Sequence, residues 1–178
     1  MKKYAIIVAG GSGTRFGSTL PKQFVPLGGV PVLMRTIKAF ADYDRDINIV
    51  VALPSEHLTL WGDLCALRNF DVPHKVVEGG ANRFESVRNA LFAINETECL
   101  VAVHDGARPL VSRQVIAAGF ETAARCGTAI PTVPVTDSIR QLDRNGSHNV
   151  SRESLVAVQT PQTFRVEILK EAYTTAFS

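Results

Sequence analysis

The stretch from Ile7 to Phe24 joins glycine backbone to two cations. Gly10, Gly11 and Gly13 follow an apolar run, and Arg15 and Lys22 stand seven positions apart. Glycine lets backbone N–H groups close on an anion with no Cβ in the way, and the two cations add full charge where amides offer only dipoles. Such a combination suits a nucleoside triphosphate attacked at its α-phosphorus. Two familiar phosphate loops fit poorly. A dinucleotide turn reads G-x-G-x-x-G with an acidic residue about 20 positions on, whereas Gly11 to Gly17 is one residue too long and contains an arginine. A P-loop needs Gly-Lys-Ser/Thr after the turn, and none follows. The plainer alternative is a strand-to-helix turn with two solvated basic residues.

Two further loops also pair glycine with arginine. Gly79-Gly80-Ala81-Asn82-Arg83 offers backbone groups to a base and a cation to phosphate, with Ser86 one turn on. Taken alone it reads as a helix cap carrying a surface arginine. In His104-Asp105-Gly106-Ala107-Arg108-Pro109, the carboxylate can hold a hydroxyl or a hydrated metal, and the arginine can clamp a phosphate. The alternative there is an internal Asp105–Arg108 ion pair. Asp137, Ser138 and Arg152 lie farther on, in a polar segment from which they could reach a neighbouring site.

Placing these loops together requires a particular architecture. Apolar runs of strand length alternate with longer segments of helical period, the pattern of a mostly parallel sheet with helices on both faces. Strands are expected over Tyr4–Ala9, Ile47–Leu53, His74–Val77, Leu100–Val103 and Thr128–Val133. Helices should follow Pro31, Ser55 as a cap, the Asn82/Glu85 capping pair, and Ser112, the last of these stopped by Gly127. Ligands of open parallel sheets bind beyond the carboxyl ends of the strands, where all three glycine–arginine loops then fall. Residues 134–158 break the pattern around an Asn145-Gly146 turn and read as an exposed β-arm. An arm this long has little to pack against on its own subunit, so an exchange with a partner chain is expected. A final helix begins at Val166.

The bulk composition sets limits. A chain of 178 residues supports one good core, so residues 1–178 are expected to form one domain. Its net charge of +2 is too small to argue for nucleic acid or an anionic membrane as partner. Cys65, Cys99 and Cys126 form no C-x-x-C pair and read as reduced core thiols. With no secretory leader after Met1, a cytoplasmic location is expected. The four histidines show no metal-ligand spacing, and only His104, beside Asp105, is placed to matter.

The ordered set Ala9 to Arg15, Pro21-Lys22-Gln23-Phe24, Gly79-Gly80 with Arg83 and Ser86, Val103 to Pro109, and Gln159-Thr160-Pro161-Gln162 resembles the methylerythritol phosphate cytidylyltransferase family across essentially the whole chain. That resemblance implies a Rossmann-like nucleotidyltransferase sheet with a dimerising β-arm. It implies that Ala9, Gly10, Gly11 and Gly13 cradle the triphosphate of CTP while Arg15 and Lys22 act catalytically on its phosphorus. Gly79, Gly80, Arg83 and Ser86 would hold the nucleotide, and Asp105 and Arg108 would stand where the two substrates meet. Ser138 and Arg152 would enter from the partner's arm to hold the sugar phosphate. Mg²⁺ would be held mainly by phosphates, with Asp105 the protein group able to join it. Ala81 stands where some relatives have an acidic residue. Relatives also continue past the position of Ser178 into a segment whose lysine and aspartate join the site, so the chain is expected to be truncated. Three other readings stand beside this one: a ribitol 5-phosphate cytidylyltransferase, a nucleotidyltransferase loading a sugar phosphate or molybdopterin, and a non-catalytic CTP-binding dimer. The Pro-Lys-Gln spacing argues against the second.

Overall fold

The computed structural model describes residues 1–11 and 20–176. Continuous apolar runs make the central strands, because a strand covered on both faces has no side that must meet water. β1 (Lys2–Val8) is followed by a small hairpin, β2 (Pro26–Leu27) and β3 (Val30–Pro31), turned at Gly28 and Gly29 with φ of 56° and 78°. Then come α1 (Val32–Tyr43), β4 (Asn48–Leu53), α2 (Leu58–Leu67), β5 (Lys75–Glu78), α3 (Arg83–Phe92), β6 (Cys99–Asp105) and α4 (Arg113–Cys126). The rest of the chain forms β7 (Thr128–Ala129), β8 (Thr132–Pro134), β9 (Ile139–Asp143), β10 (Gly146–Val150), β11 (Val156–Val158), β12 (Gln162–Arg165) and α5 (Val166–Thr175).

Among the described residues the main sheet has six strands in the order β5-β4-β1-β6-β12-β7. The first four run parallel, while β12 is antiparallel to both of its neighbours. Alternate residues of each central strand serve opposite layers. On one face Ala5, Ile7, Ile49, Val51 and Ala102 meet α1, α2 and α4 through Leu33, Ile37, Phe40, Trp61, Ile116 and Phe120. On the other, Ile6, Val8, Val50, Ala52, Val101 and Val103 meet α3 and α5 through Val87, Leu91, Val166 and Leu169. Each fully buried side chain of this size contributes ~1.5–3 kcal/mol, so these two layers set the strand ends that carry the loops. No helix among the described residues is long and apolar enough to cross a membrane.

The local signals read from sequence hold where the partner is near in the chain. Asn82 caps α3, its side chain accepting from the Glu85 N–H at 2.9 Å, and Ser112 caps α4 by accepting from the Val115 N–H at 3.2 Å. Gly127 ends α4 with φ 88°. Elsewhere the structure corrects the expectation. Ser55 makes no side-chain cap; it opens a 3-10 turn over Ser55–His57 that leads into α2. Leu67 is 74% exposed although apolar, because it is the last residue of α2 and lies beyond the core edge. The strand expected over Thr128–Val133 is two pieces, β7 in the main sheet and β8 paired with β11, broken around Pro131, which has no N–H to give a ladder. β12 has no counterpart in the sequence reading, and it fills the place between β6 and β7. Of the three cysteines only Cys99 is buried; Cys126, at the end of α4, is exposed.

The 134–158 segment is an arm, as expected. Among the described residues β9 and β10 pair only with each other, and Leu142 on β9 is 80% exposed. Asn145 turns the hairpin, its N–H donating to Asp143 Oδ1 at 2.8 Å, and Gly146 follows with φ 138°.

Candidate functional site

Three loops leave the carboxyl ends of β1, β5 and β6 and meet around one cavity of about 480 Å³. The Gly106 N–H donates to Val8 O at 2.8 Å, which draws the β6 loop against the end of β1. A Cβ at Gly106 would lie 2.9 Å from Ala9 Cβ and 3.1 Å from Val8 O, so this approach requires glycine. Buried Thr36 on α1 holds the same loop from below, its hydroxyl donating to Gly106 O at 2.9 Å. The Gly79 N–H donates to Leu53 O at 2.7 Å and brings the β5 loop in from the other side.

Ala9, Gly10, Gly11, Lys22, Arg83, Ser86, Asp105 and Arg108 all line this cavity. Gly13 and Arg15 lie outside the described residues. Gly79 and Gly80 are not among the lining residues; they lie behind Ser86. Its hydroxyl oxygen accepts from the Gly80 N–H at 3.1 Å and its proton goes to Asn82 O at 2.8 Å. A Cβ on Gly80 would stand 2.2 Å from Glu85 Cβ, so the capping turn can fold onto α3 only with glycine there. Ser138 and Arg152 do not line this chain's cavity. Both are exposed on the arm, where the Arg152 Nη1 donates to Thr136 O at 2.7 Å.

Both alternatives weighed for the arginine loops are present in the fold. Arg83 is the first residue of a capped helix, and Asp105 does pair with Arg108. A second arginine joins them: Asp105 Oδ1 accepts from Arg83 Nε at 3.1 Å, and Oδ2 forms an ion pair with Arg108, whose Nε stands 2.9 Å away. Two guanidiniums from separate loops are thus gathered on one carboxylate. With Lys22, three cations face the cavity against a single carboxylate among the described lining residues, a field suited to a polyanion.

Residues given no role by the sequence reading hold the β6 loop in place. Arg108 Nη1 donates to Gln159 Oε1 at 2.5 Å. Arg108 O can only accept, so His104 carries its proton on Nε2 and donates it there at 3.0 Å. His104 Nδ1 then accepts from the Thr160 hydroxyl at 2.9 Å, and Thr160 Oγ1 accepts from the Asp105 N–H at 3.4 Å. The only sign of Gln159 and Thr160 in the sequence was their place in a motif, because their partners lie more than fifty positions away.

His104 is fully buried against Phe40, and that burial, which disfavours the imidazolium, holds its pKa below the ordinary 6.5. Above about pH 6.5 the folded and unfolded chains both carry this histidine neutral. Below that value the unfolded chain takes up a proton the folded chain refuses, so stability falls as pH falls, by up to ~1.4 kcal/mol per pH unit. Asp44, lowered chiefly by its hydrogen bond to Lys3, and Glu96, lowered chiefly by its bond to Lys2 to about 2, add losses only on further acidification. Urea unfolding of the wild type should therefore weaken between pH 6.5 and 5, and His104→Gln should flatten that slope. Equal slopes in the two proteins would exclude His104 as its source.

Comparison with known proteins agrees with this geometry. The model of the family "IspD: 2-C-methyl-D-erythritol 4-phosphate cytidylyltransferase" matches residues 4–178. A 2-C-methyl-D-erythritol 4-phosphate cytidylyltransferase of Phocaeicola vulgatus is 48% identical over 173 residues, spanning 97% of this chain and 78% of the relative. The enzyme of that name from Bacteroides thetaiotaomicron is also 48% identical, over all of this chain and 81% of its own length. Among solved structures, the Francisella tularensis cytidylyltransferase superposes with a TM-score of 0.81 at 31% identity, covering 99% of this chain and 78% of that one. The chain belongs to the 2-C-methyl-D-erythritol 4-phosphate cytidylyltransferase (IspD) family.

Proposed function

We propose that this chain transfers CMP from CTP to 2-C-methyl-D-erythritol 4-phosphate and releases pyrophosphate. A phosphate oxygen of the polyol phosphate attacks the α-phosphorus in line; a new P–O bond forms as the bond to the β-phosphate oxygen breaks. Its nucleophile is already anionic, so the protein needs no strong general base. The remaining work is to hold two polyanions together and to neutralise charge as it builds. One observation carries the reading: Gly10 and Gly11, Lys22, and the Arg83–Asp105–Arg108 cluster line a single cavity at the carboxyl ends of parallel strands.

In this reading the backbone of Ala9 to Gly11 and Ser86 receives the nucleotide. Lys22, with Arg15, faces the α-phosphoryl group. Asp105 and Arg108 orient the incoming polyol phosphate, and the guanidinium offers it a two-pronged phosphate contact. Mg²⁺ would accompany the CTP and neutralise phosphate charge. No cluster of three His, Cys, Asp or Glu side chains able to hold a metal occurs among the described residues. Asp105 is the one carboxylate of the described lining, which fits an ion coordinated mainly by phosphates and water.

The arm is proposed to complete the site of a second copy, making the enzyme a homodimer that works in the cytoplasm. Exposed Leu142, Val133, Val156 and Val158 along the arm support that arrangement, since apolar side chains on an isolated ribbon are normally covered. Sedimentation velocity should give a dimer. Arg152→Ala should raise KM for the polyol phosphate by roughly tenfold or more, the range for losing one charge-assisted hydrogen bond to phosphate, and change KM for CTP far less. Equal effects on the two KM values would remove Arg152 from the polyol-phosphate site.

Mixing the protein with CTP, Mg²⁺ and each alcohol phosphate, with pyrophosphate release and ³¹P spectra as readouts, tests the whole reading. The expected product is the diphosphate of cytidine and methylerythritol. Preference for ribitol 5-phosphate would move the assignment to the ribitol enzyme. CTP binding with no release from either acceptor would leave a nucleotide-binding dimer.

A further inference from the structure

Lys22 sits on a short turn whose neighbours are anchored far more firmly than the lysine itself. Gln23 is only 2% exposed, and its carboxamide Nε2 donates to Ala9 O at 2.7 Å, just past the end of β1. The Gln23 carbonyl accepts from the Leu33 N–H at 2.8 Å, which ties the same residue to the first turn of α1. Phe24 is 1% exposed; its ring stacks on Trp61 at 6.2 Å and meets the His57 ring edge-on at 5.5 Å. Lys22 itself is exposed and lines the cavity.

We propose that Gln23 is the positioning residue for the Lys22 ammonium, a clasp that joins the glycine side of the phosphate site to its lysine side. The inference rests on the role given to Lys22 above. Ala9 O and Gln23 mark the two ends of the 10–22 segment, and one buried hydrogen bond holds these ends together. The bond fixes where the Lys22 backbone stands relative to the Ala9–Gly11 backbone, so cation and amides address the same phosphoryl group. A donor of this length is needed. Methionine would fill the space without donating, glutamate would set a carboxylate against a carbonyl, and asparagine is one methylene short. Misplacing a reacting group by about 1 Å can cost on the order of a hundredfold in rate, which is what a loosened neck would cause.

Steady-state kinetics of Gln23→Met alone and combined with Lys22→Ala tests this. Gln23→Met should keep cooperative thermal unfolding and lose about ten- to a hundredfold in kcat. Its KM for CTP should rise while KM for the polyol phosphate stays unchanged. In the Lys22→Ala background the same substitution should have almost no further effect on kcat, because there is no ammonium left to place. A purely structural role predicts the same factor in both backgrounds and both KM values moving together, and that result overturns the proposal. Should Gln23→Met fail to fold, Gln23→Asn makes the same comparison. Trp61 is the only tryptophan and stacks on Phe24, so CTP binding can also be followed by its fluorescence. If the wild type binds CTP but releases no pyrophosphate, the reaction assignment fails, and the clasp is judged on the titration. An unchanged dissociation constant in Gln23→Met then overturns it, and a weakened one supports it.

Discussion

Lys22→Ala should lower kcat by roughly a hundred- to a thousandfold, ~2.7–4 kcal/mol of transition-state stabilisation, and leave the fold intact. The two halves of this expectation have separate physical grounds. The turn around Lys22 is made by backbone bonds, Phe24 N–H to Pro21 O at 2.9 Å and Val25 N–H to Lys22 O at 3.3 Å, and neither uses the side chain. No ion pair among the described residues includes Lys22, and exposed substitutions of this kind stay within about 0.5 kcal/mol. Charge, however, builds on the phosphoryl oxygens as pyrophosphate leaves, in a cavity where water screens less than in bulk. Lys22→Arg should recover only part of the loss, since a planar guanidinium restores charge without the ammonium's point geometry. Arg15→Ala is expected to behave like Lys22→Ala on the strength of the motif. Pyrophosphate release is the measurement, with circular dichroism to check folding. Turnover of Lys22→Ala within about threefold of wild type would take the residue out of the mechanism.

Asp105→Asn is expected to cost roughly a hundredfold in kcat/KM for the polyol phosphate, ~2.7 kcal/mol, again with little change in stability. Asparagine keeps the shape and removes the charge. Arg83 Nε and Arg108 Nε would then share one amide, whose NH₂ must point at one of the two donors, and the guanidiniums would repel one another apart. Both arginines are about half exposed, 49% and 46%, so solvent screens the pairs and their loss costs at most about 1 kcal/mol of stability. The functional loss is larger because an arginine that has swung away no longer meets the phosphate in its two-pronged geometry. KM for CTP should change less than kcat/KM for the second substrate. A variant with wild-type kinetics and reduced stability would mark the Arg83–Asp105–Arg108 cluster as purely structural.

Legibility in the sequence followed the range of the interaction. The Asn82–Glu85 cap, the Ser112 cap, the Gly127 stop and the Asn145 turn were all readable, since each partner lies within three or four residues and the backbone geometry there is local. The central strands were readable for another reason: burial on both faces leaves no polar position, so Ala5 to Val8 and Val50 to Leu53 show as unbroken apolar runs. Ser55 misled because a capping residue type does not by itself say whether the first turn is α or 3-10. β12 was invisible since Gln162 to Arg165 alternates without a strong apolar face, and its place comes from pairing with β6, 59 to 65 positions earlier.

The amino-acid types and their order established that a glycine-rich turn, two cations and two glycine–arginine loops belong at the strand ends of one mostly parallel sheet, because strand, cap and turn preferences act over a few residues; the nucleotidyltransferase character came from the resemblance of the ordered motifs. Which of those groups touch was settled by the path of the chain. Arg83 reaches Asp105 across 22 positions, Gln23 reaches Ala9 across 14, and Thr160 reaches His104 across 56. Side chains that distant meet only once the two apolar layers have stacked the strands and brought their ends side by side, and no local preference encodes that meeting.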